Sequence, residues 1–195
     1  MKTEGTEDQV AGEGQNSMTG TEIDIFEFSQ RGEEVPHAPA YRVRIDGEVF
    51  RIETPTPKGE LLLGKVGKRP CAFELIGEFV HGKNDVVEPE EEVDLRKRGL
   101  KGFITAHKEI VTIFINGDPY KIERGNRTVA EILAKVGQTP EGYVLLEEKD
   151  GQPPMPLPPD RPVKIHGCEI FHSQPQSGGS SSGARWSTRR NRLKH

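Results

Sequence analysis

Long apolar runs are missing from this 195-residue chain. No stretch of about 18 consecutive apolar residues occurs, so no segment is built to cross a membrane as a helix. The N-terminus lacks the basic-then-apolar order of a secretory signal. Cysteine is nearly absent. Cys71 and Cys168 are too few for the multi-bridge framework of a small secreted domain, and both are expected to stay reduced in the cytoplasm. Hydrophobic residues make up only 32% of the chain, and the deficit lies at its ends. Residues 1–36 carry Glu4, Glu7, Asp8, Glu13, Glu22, Asp24, Glu27, Glu33 and Glu34 against Lys2 and Arg31. Residues 173–195 begin rich in Gly, Ser and Gln and end with Arg185, Arg189, Arg190, Arg192 and Lys194. Such segments bury too little apolar surface to offset their ordering entropy, so both are expected to be disordered.

Catalytic signatures are missing too. There is no Gly-rich phosphate loop, no Gly-x-Ser-x-Gly, no His-Glu-x-x-His and no Cys-x-x-Cys, so neither an enzyme nor a cofactor is expected. His166, Cys168 and His172 alternate as ligands on one strand face would, but a fourth ligand is lacking and no metal site is expected. Glu88-Pro-Glu-Glu-Glu92 reads as a solvated acidic loop. The net charge of −4 argues against a nucleic-acid binder, and the basic tail reads as a solubility feature.

What is present is repetition. Tyr41-Arg-Val-Arg-Ile-Asp-Gly-Glu-Val-Phe-Arg-Ile-Glu53 returns as Val111-Thr-Ile-Phe-Ile-Asn-Gly-Asp-Pro-Tyr-Lys-Ile-Glu123. The offset is 115 − 45 = 70 residues. Ile45, Gly47, Phe50, Ile52, Leu63, Lys65, Val66, Gly67, Pro70, Phe73 and Leu75 fall on Ile115, Gly117, Tyr120, Ile122, Leu133, Lys135, Val136, Gly137, Pro140, Tyr143 and Leu145. The shared positions are apolar or turn-forming, where a common fold constrains sequence. A period of this length is too long for a solenoid unit and close to the smallest independent domain.

Each copy opens with two strands joined by Asp46-Gly47 or Asn116-Gly117, strong signals for a tight hairpin. A helix follows. Thr128 is its N-cap in the second copy, with Glu131 three residues on and Gly137 as the stop, while Val129, Ile132, Leu133 and Val136 form one apolar face. In the first copy Gly59 and Gly64 weaken the corresponding helix by about 1 kcal/mol each relative to alanine, so the second copy is expected to be better formed. Strands are expected at Phe73–Ile76 and Tyr143–Leu146, then an irregular stretch, then last strands near Leu100–Thr105 and Val163–Phe171.

Hairpin, helix, strand, loop, strand is the order of a β-grasp, an α+β fold in which a mixed sheet curls around one helix. On the repeated aromatic-x-Ile-Glu segments (Phe50–Glu53 and Tyr120–Glu123) and Lys-Val-Gly segments the chain resembles ubiquitin-like proteins, and most closely the bacterial multi-ubiquitin family of tandem ubiquitin-like domains. The expected layout is a disordered acidic segment at 1–36, domain 1 at 40–106, domain 2 at 109–173, and a flexible arm with basic tail at 174–195.

The resemblance implies a protein modifier, whose one chemical handle is a flexible arm ending in Gly-Gly. Glycine suits the narrow clefts of the processing enzymes because it has no Cβ and accepts any φ. Here the arm His172-Ser-Gln-Pro-Gln-Ser-Gly178-Gly179 would extend about 26 Å. Ser180 and fifteen more residues follow, so a protease would have to cut after Gly179. The first copy ends Phe103-Ile-Thr-Ala-His-Lys108 without a diglycine, so the two copies act as one unit. The implied partners are a ubiquitin-activating-like enzyme, a conjugating enzyme, a metal-dependent deubiquitinase-like peptidase and target proteins, in some resembled systems serving defence against phage. A different reading keeps the fold and drops the conjugation: a β-grasp scaffold that docks partners or self-assembles through sheet edges. The apolar segment Ile23-Asp-Ile25-Phe26-Glu-Phe28 could then pair with a sheet edge, its own or a neighbour's.

Overall fold

The computed structural model describes residues 22–176. The chain divides into two compact units, Met1–Lys108 and Glu109–His195, each a β-grasp around its own apolar cluster.

Unit 1 runs β1 (Ile23–Asp24), α1 (Ile25–Arg31), β2 (Tyr41–Ile45), β3 (Glu48–Ile52), α2 (Gly59–Lys65), β4 (Phe73–Phe79), β5 (Asp85–Val87) and β6 (Leu100–His107). Its sheet order is β1-β2-β6-β4-β5, with β3 also paired to β2. Unit 2 runs β7 (Ile110–Ile115), β8 (Asp118–Glu123), β9 (Gly125–Arg127), α3 (Val129–Ala134), β10 (Tyr143–Glu148), β11 (Met155–Pro156), β12 (Val163–Ile165) and β13 (Ile170–Pro175). Its main sheet is β11-β10-β13-β7-β8, with β9 and β12 as a separate pair. In both units the first strand of the hairpin and the last strand, β2 with β6 and β7 with β13, run parallel at the centre.

The hairpins form as their turn residues dictate. Asp46 and Gly47 have φ of 52° and 85°, and Asn116 and Gly117 have 54° and 91°, the positive values that a two-residue turn of the right twist needs. Period-two alternation buries Tyr41, Val43 and Ile45 in unit 1 and Val111, Ile113 and Ile115 in unit 2. Leu62 and Leu63 of α2, and Ile132 and Leu133 of α3, close the opposite wall of each core. Thr128 caps α3 in a reciprocal box with Glu131.

The 70-residue offset persists where no repeat is visible in the residues. Leu95 N–H donates to Pro55 O at 2.8 Å and Val93 N–H to Pro57 O at 2.9 Å. In unit 2 the matching positions are the ladder pairs Gly125↔Ile165 and Arg127↔Val163. Prolines have no N–H, so unit 1 keeps half of the bonds that make a β9–β12 pair in unit 2.

The offset then changes. Ile45 pairs with Phe103 and Ile115 with Phe171, so the last strands differ by 171 − 103 = 68 residues. Unit 1 has two extra residues before β6, and this decides what lies beside the start of its first strand. In unit 2, Cys168 N–H donates to Thr112 O at 2.7 Å and Phe114 N–H to Glu169 O at 2.9 Å, so the chain entering β13 zips against β7. At the same place in unit 1 the pairing comes from the N-terminal segment, with Ile23 opposite Tyr41 and Asp24 opposite Arg42.

Several expectations are corrected here. Residues 22–36 are folded: Ile25 and Val35 are buried in the core of unit 1. The apolar segment Ile23–Phe28, expected to pair with a sheet edge of its own or a neighbour's domain, starts with a strand paired to β2 of its own unit, where the two-residue insertion leaves the sheet open. Residues 1–21 lie outside the described residues. The last strand of unit 2 is Ile170–Pro175 rather than Val163–Phe171, because a turn at 166–169 separates it from β12. Neither cysteine is a free thiol, whereas both were expected reduced; a count of two limits a framework but does not set the state of either sulfur.

Gly59 is also not a mere weakness in α2. A Cβ there would lie 2.5 Å from the carbonyl oxygen of Glu88, so the helix approaches the 88–92 loop only because this residue has no side chain. Gly64 has open space around it.

Candidate functional site

The chemistry expected of the chain lies on the segment leaving β13. This strand is central, hydrogen-bonded to β7 on one side and β10 on the other. Phe171 is fully buried and anchors it. Pairing continues to Tyr143↔Pro175, and Gln176 is still held: its N–H donates to Gly142 O at 2.9 Å and its Nε2 to Pro140 O at 2.7 Å. His172 to Pro175 therefore belong to the sheet and not to the arm, which corrects the boundary drawn at residue 173. Among the described residues the last hydrogen bond is that of Gln176, and Ser177, Gly178 and Gly179 follow it in sequence, a chain reach of at most roughly 10 Å. Gly178, Gly179 and Ser180 themselves lie outside the described residues.

A face accompanies this exit. Because register partners share a side of the sheet, Val144, Leu146 and Glu148 of β10, His172 of β13 and Phe114 of β7 stand opposite the buried Leu145, Phe171 and Ile113. Val144, Leu146, Phe114 and Ile170 are half-buried, and His172 Nε2 lies 2.6 Å from the Glu148 carboxylate. The result is an apolar strip with one polar pair, beside the root of the arm.

Unit 1 treats the same face differently. The position of Phe114 is Arg44, and the ring of Phe26 from α1 stacks 3.8 Å from its guanidinium. Asp24 is buried, accepts the Phe26 N–H at 3.0 Å as the N-cap of α1, and lies 3.6 Å from Arg42 and 3.7 Å from Arg44. Of the apolar residues singled out from sequence, Ile23 lies in the paired strand β1, Ile25 is core, Phe28 packs against the core from α1, and Phe26 reaches the outer face. Asp24 went unnoticed because its two arginine partners are 18 and 20 residues distant in sequence.

Both units lock the hairpin turn to the last strand. In unit 1 the Thr105 N–H and hydroxyl donate to the Asp46 carboxylate at 2.8 and 2.9 Å, and Lys68 Nζ donates to it at 2.7 Å. In unit 2 the Ser173 N–H donates to Asn116 Oδ1 at 2.9 Å, and Asn116 Nδ2 to Ser173 Oγ at 2.8 Å. The repeat equivalent of Lys68 is Gln138. The charged trio of unit 1 is thus an Asn116–Ser173 pair in unit 2, and the buried Gln138 Oε1 makes no hydrogen bond among the described residues. Burial pushes the Asp46 carboxyl up, but the hydrogen bonds from Lys68 and Thr105 and the charge of Lys68 outweigh it, leaving it below its ordinary value.

Among the described residues no group of three or more His, Cys, Asp and Glu side chains could hold a metal ion. His166 and Cys168 fall in the turn before β13 while His172 is paired to Glu148 within it, so the three do not share a strand. No helix among the described residues is long and apolar enough to cross a membrane.

Residues 41–108, the first repeat from β2 to the end of β6, match the family model described as Multiubiquitin. No curated protein matches the chain.

Proposed function

The chain carries a multiubiquitin domain and a ubiquitin-like fold, and from that premise we propose that it is a tandem ubiquitin-like protein modifier. It would be cut between Gly179 and Ser180, activated at the Gly179 carboxylate as an adenylate, passed through cysteine thioesters and joined to a target amine as an isopeptide. An activating enzyme, a conjugating enzyme and a metal-dependent peptidase would supply the catalysis, in a bacterial cytoplasm and in the service of defence against phage. The chain supplies a carboxylate and surfaces to be read.

One observation carries this reading. The strand that leads to the Gln176–Gly142 hydrogen bond is bordered by the half-buried Val144 and Leu146 and comes within one residue, Ser177, of the diglycine in sequence. An enzyme within roughly 10 Å of that root meets the strip as it takes the arm. In unit 1 the corresponding chain passes through Lys108 directly into β7, so no arm exists there.

The test is the intact mass of the chain from cells that also make a candidate peptidase and conjugating enzymes, beside a Gly179→Val variant. A species ending at Gly179, and target conjugates that vanish in Gly179→Val, support the reading; conjugates that persist in the variant refute it. A chain that stays full length and unconjugated leaves the scaffold reading.

A further inference from the structure

Charge reverses between the two copies at one place. At the offset of 70, Leu157 to Ile165 of unit 2 fall on Val87 to Leu95 of unit 1. The bonds of Val93 and Leu95 to Pro57 and Pro55 match the ladder of Val163 and Ile165, so the two stretches are equivalent in the fold. Unit 1 has Glu88, Glu90, Glu91, Glu92 and Asp94 there, and unit 2 has Pro158, Asp160, Arg161, Pro162 and Lys164. Five carboxylates become one carboxylate, two cations and two prolines.

The carboxylates of unit 1 are used within it. Glu91 accepts the Glu88 N–H at 3.1 Å, Glu90 accepts Lys58 Nζ at 2.8 Å and Asp94 accepts Arg96 Nε at 3.0 Å. The cations of unit 2 are not. Lys149 takes Glu147 at 3.1 Å, whereas neither Arg161 nor Lys164 has a carboxylate partner among the described residues. Both border a cavity of about 660 Å³ beyond the end of β10, with Leu157, Pro158, Pro162 and His166. Glu169 also borders it, but its carboxylate accepts the N–H groups of His166 at 2.6 Å and Gly167 at 3.0 Å. The two cations are held in place. Val163 and Ile165 are buried and paired to β9, which turns Lys164 outward. Arg161 N–H donates to Pro158 O at 3.2 Å, and the prolines on either side restrict the loop.

We propose that this cavity is a binding site of unit 2 for a small phosphate monoester. Such a group carries about two negative charges at pH 7 and three acceptor oxygens. Arg161 and Lys164 match the charges, and the His166 ring supplies a further nitrogen. A monocarboxylate would leave one cation unmatched. Leu157 and the two prolines form an apolar wall for the organic part of the ester, and the volume suits a small molecule. In unit 1 Glu91 and Asp94 stand where the cations would be, and they repel such an anion. This site is independent of whether Gly179 is conjugated.

The experiment titrates the full chain with phenyl phosphate, inorganic phosphate and benzoate at constant pH and ionic strength, read by amide NMR. Saturable shifts at Arg161, Lys164, His166 and Gly167 are expected with millimolar phenyl phosphate, and none at Glu91 or Asp94. Inorganic phosphate, which lacks the ring, should bind more weakly, and benzoate, with one charge, should not saturate. Arg161→Glu and Lys164→Asp each copy unit 1 and should raise the dissociation constant at least about tenfold. Arg161→Gln and Lys164→Gln serve if a charge reversal disturbs the fold. Absence of saturation by millimolar phenyl phosphate overturns the proposal, as does undiminished binding by the folded variants. Equal affinity for benzoate refutes the phosphate, and equal affinity for inorganic phosphate refutes the ester.

Discussion

Substituting Ile25 by alanine measures how far the N-terminal segment belongs to domain 1. Ile25 is fully buried in the same cluster as Tyr41, Val43, Leu95 and Leu100. Truncating a buried isoleucine costs about 2–5 kcal/mol, the spread depending on how far the site collapses. Two structural facts argue against easy collapse. Asp24 caps α1 and is paired to Arg42 and Arg44, and Arg98 Nε donates to Gly32 O at 2.8 Å, so α1 is held at both ends. Hydrogen exchange of the full chain, resolved by segment, is the assay. In the regime where exchange follows the opening free energy, such a loss speeds exchange about 30-fold at its lower limit. Acceleration is expected both in 25–31 and in Tyr41–Ile45, because β1 and α1 occupy the space beside β2 that the chain entering β13 fills in unit 2. The 129–134 helix of unit 2 is the internal control and should not change. Acceleration confined to 25–31 would show that the segment is an ornament on a complete domain and refute the reasoning.

Four further outcomes follow from particular residues. Gly59→Ala should destabilise unit 1 despite the better helix propensity of alanine, because its Cβ would meet the Glu88 carbonyl at 2.5 Å. Gly64→Ala should stabilise it by up to about 1 kcal/mol, and urea unfolding of the two variants checks the opposite signs. The Asp46–Gly47 turn should lose protection in acid: a carboxyl held below its ordinary value of 3.8 contributes stability that is full above that value and lost as pH falls through the depressed one. The Asn116–Gly117 turn, with no carboxylate in its lock, should not lose protection in that window. The paired change Asp46→Asn with Lys68→Gln, which copies unit 2, should abolish the difference in protection factors between the turns.

Much of the fold was legible in the residues because it rests on local rules. Asp-Gly and Asn-Gly announce positive φ, Thr128 and Glu131 announce a capped helix, and alternation at Val111, Ile113 and Ile115 announces a half-buried strand. An offset of 70 that holds through turns and cores leaves little but a repeated domain. The arm was legible as composition, and its length was not. Whether His172–Pro175 is strand or tether depends on β10 lying alongside, some thirty residues earlier. Asp24 escaped for a similar reason, since a short apolar motif in an acidic stretch reads as disordered until a vacant sheet position is known.

The sequence by itself determined that there are two copies of one domain, where each hairpin turns, which helix face is buried and where a diglycine follows the last strand. These depend on residues within a few positions of one another or on direct comparison of the copies. Only the tertiary structure decided what the differences between the copies do. Two extra residues before β6 open the sheet of unit 1 to the N-terminal segment, and Asp46 and Lys68 form a charged lock where Asn116 and Gln138 carry no charge. Each is a relation across the fold, set by which strand lies beside which, and no local pattern of residues encodes it.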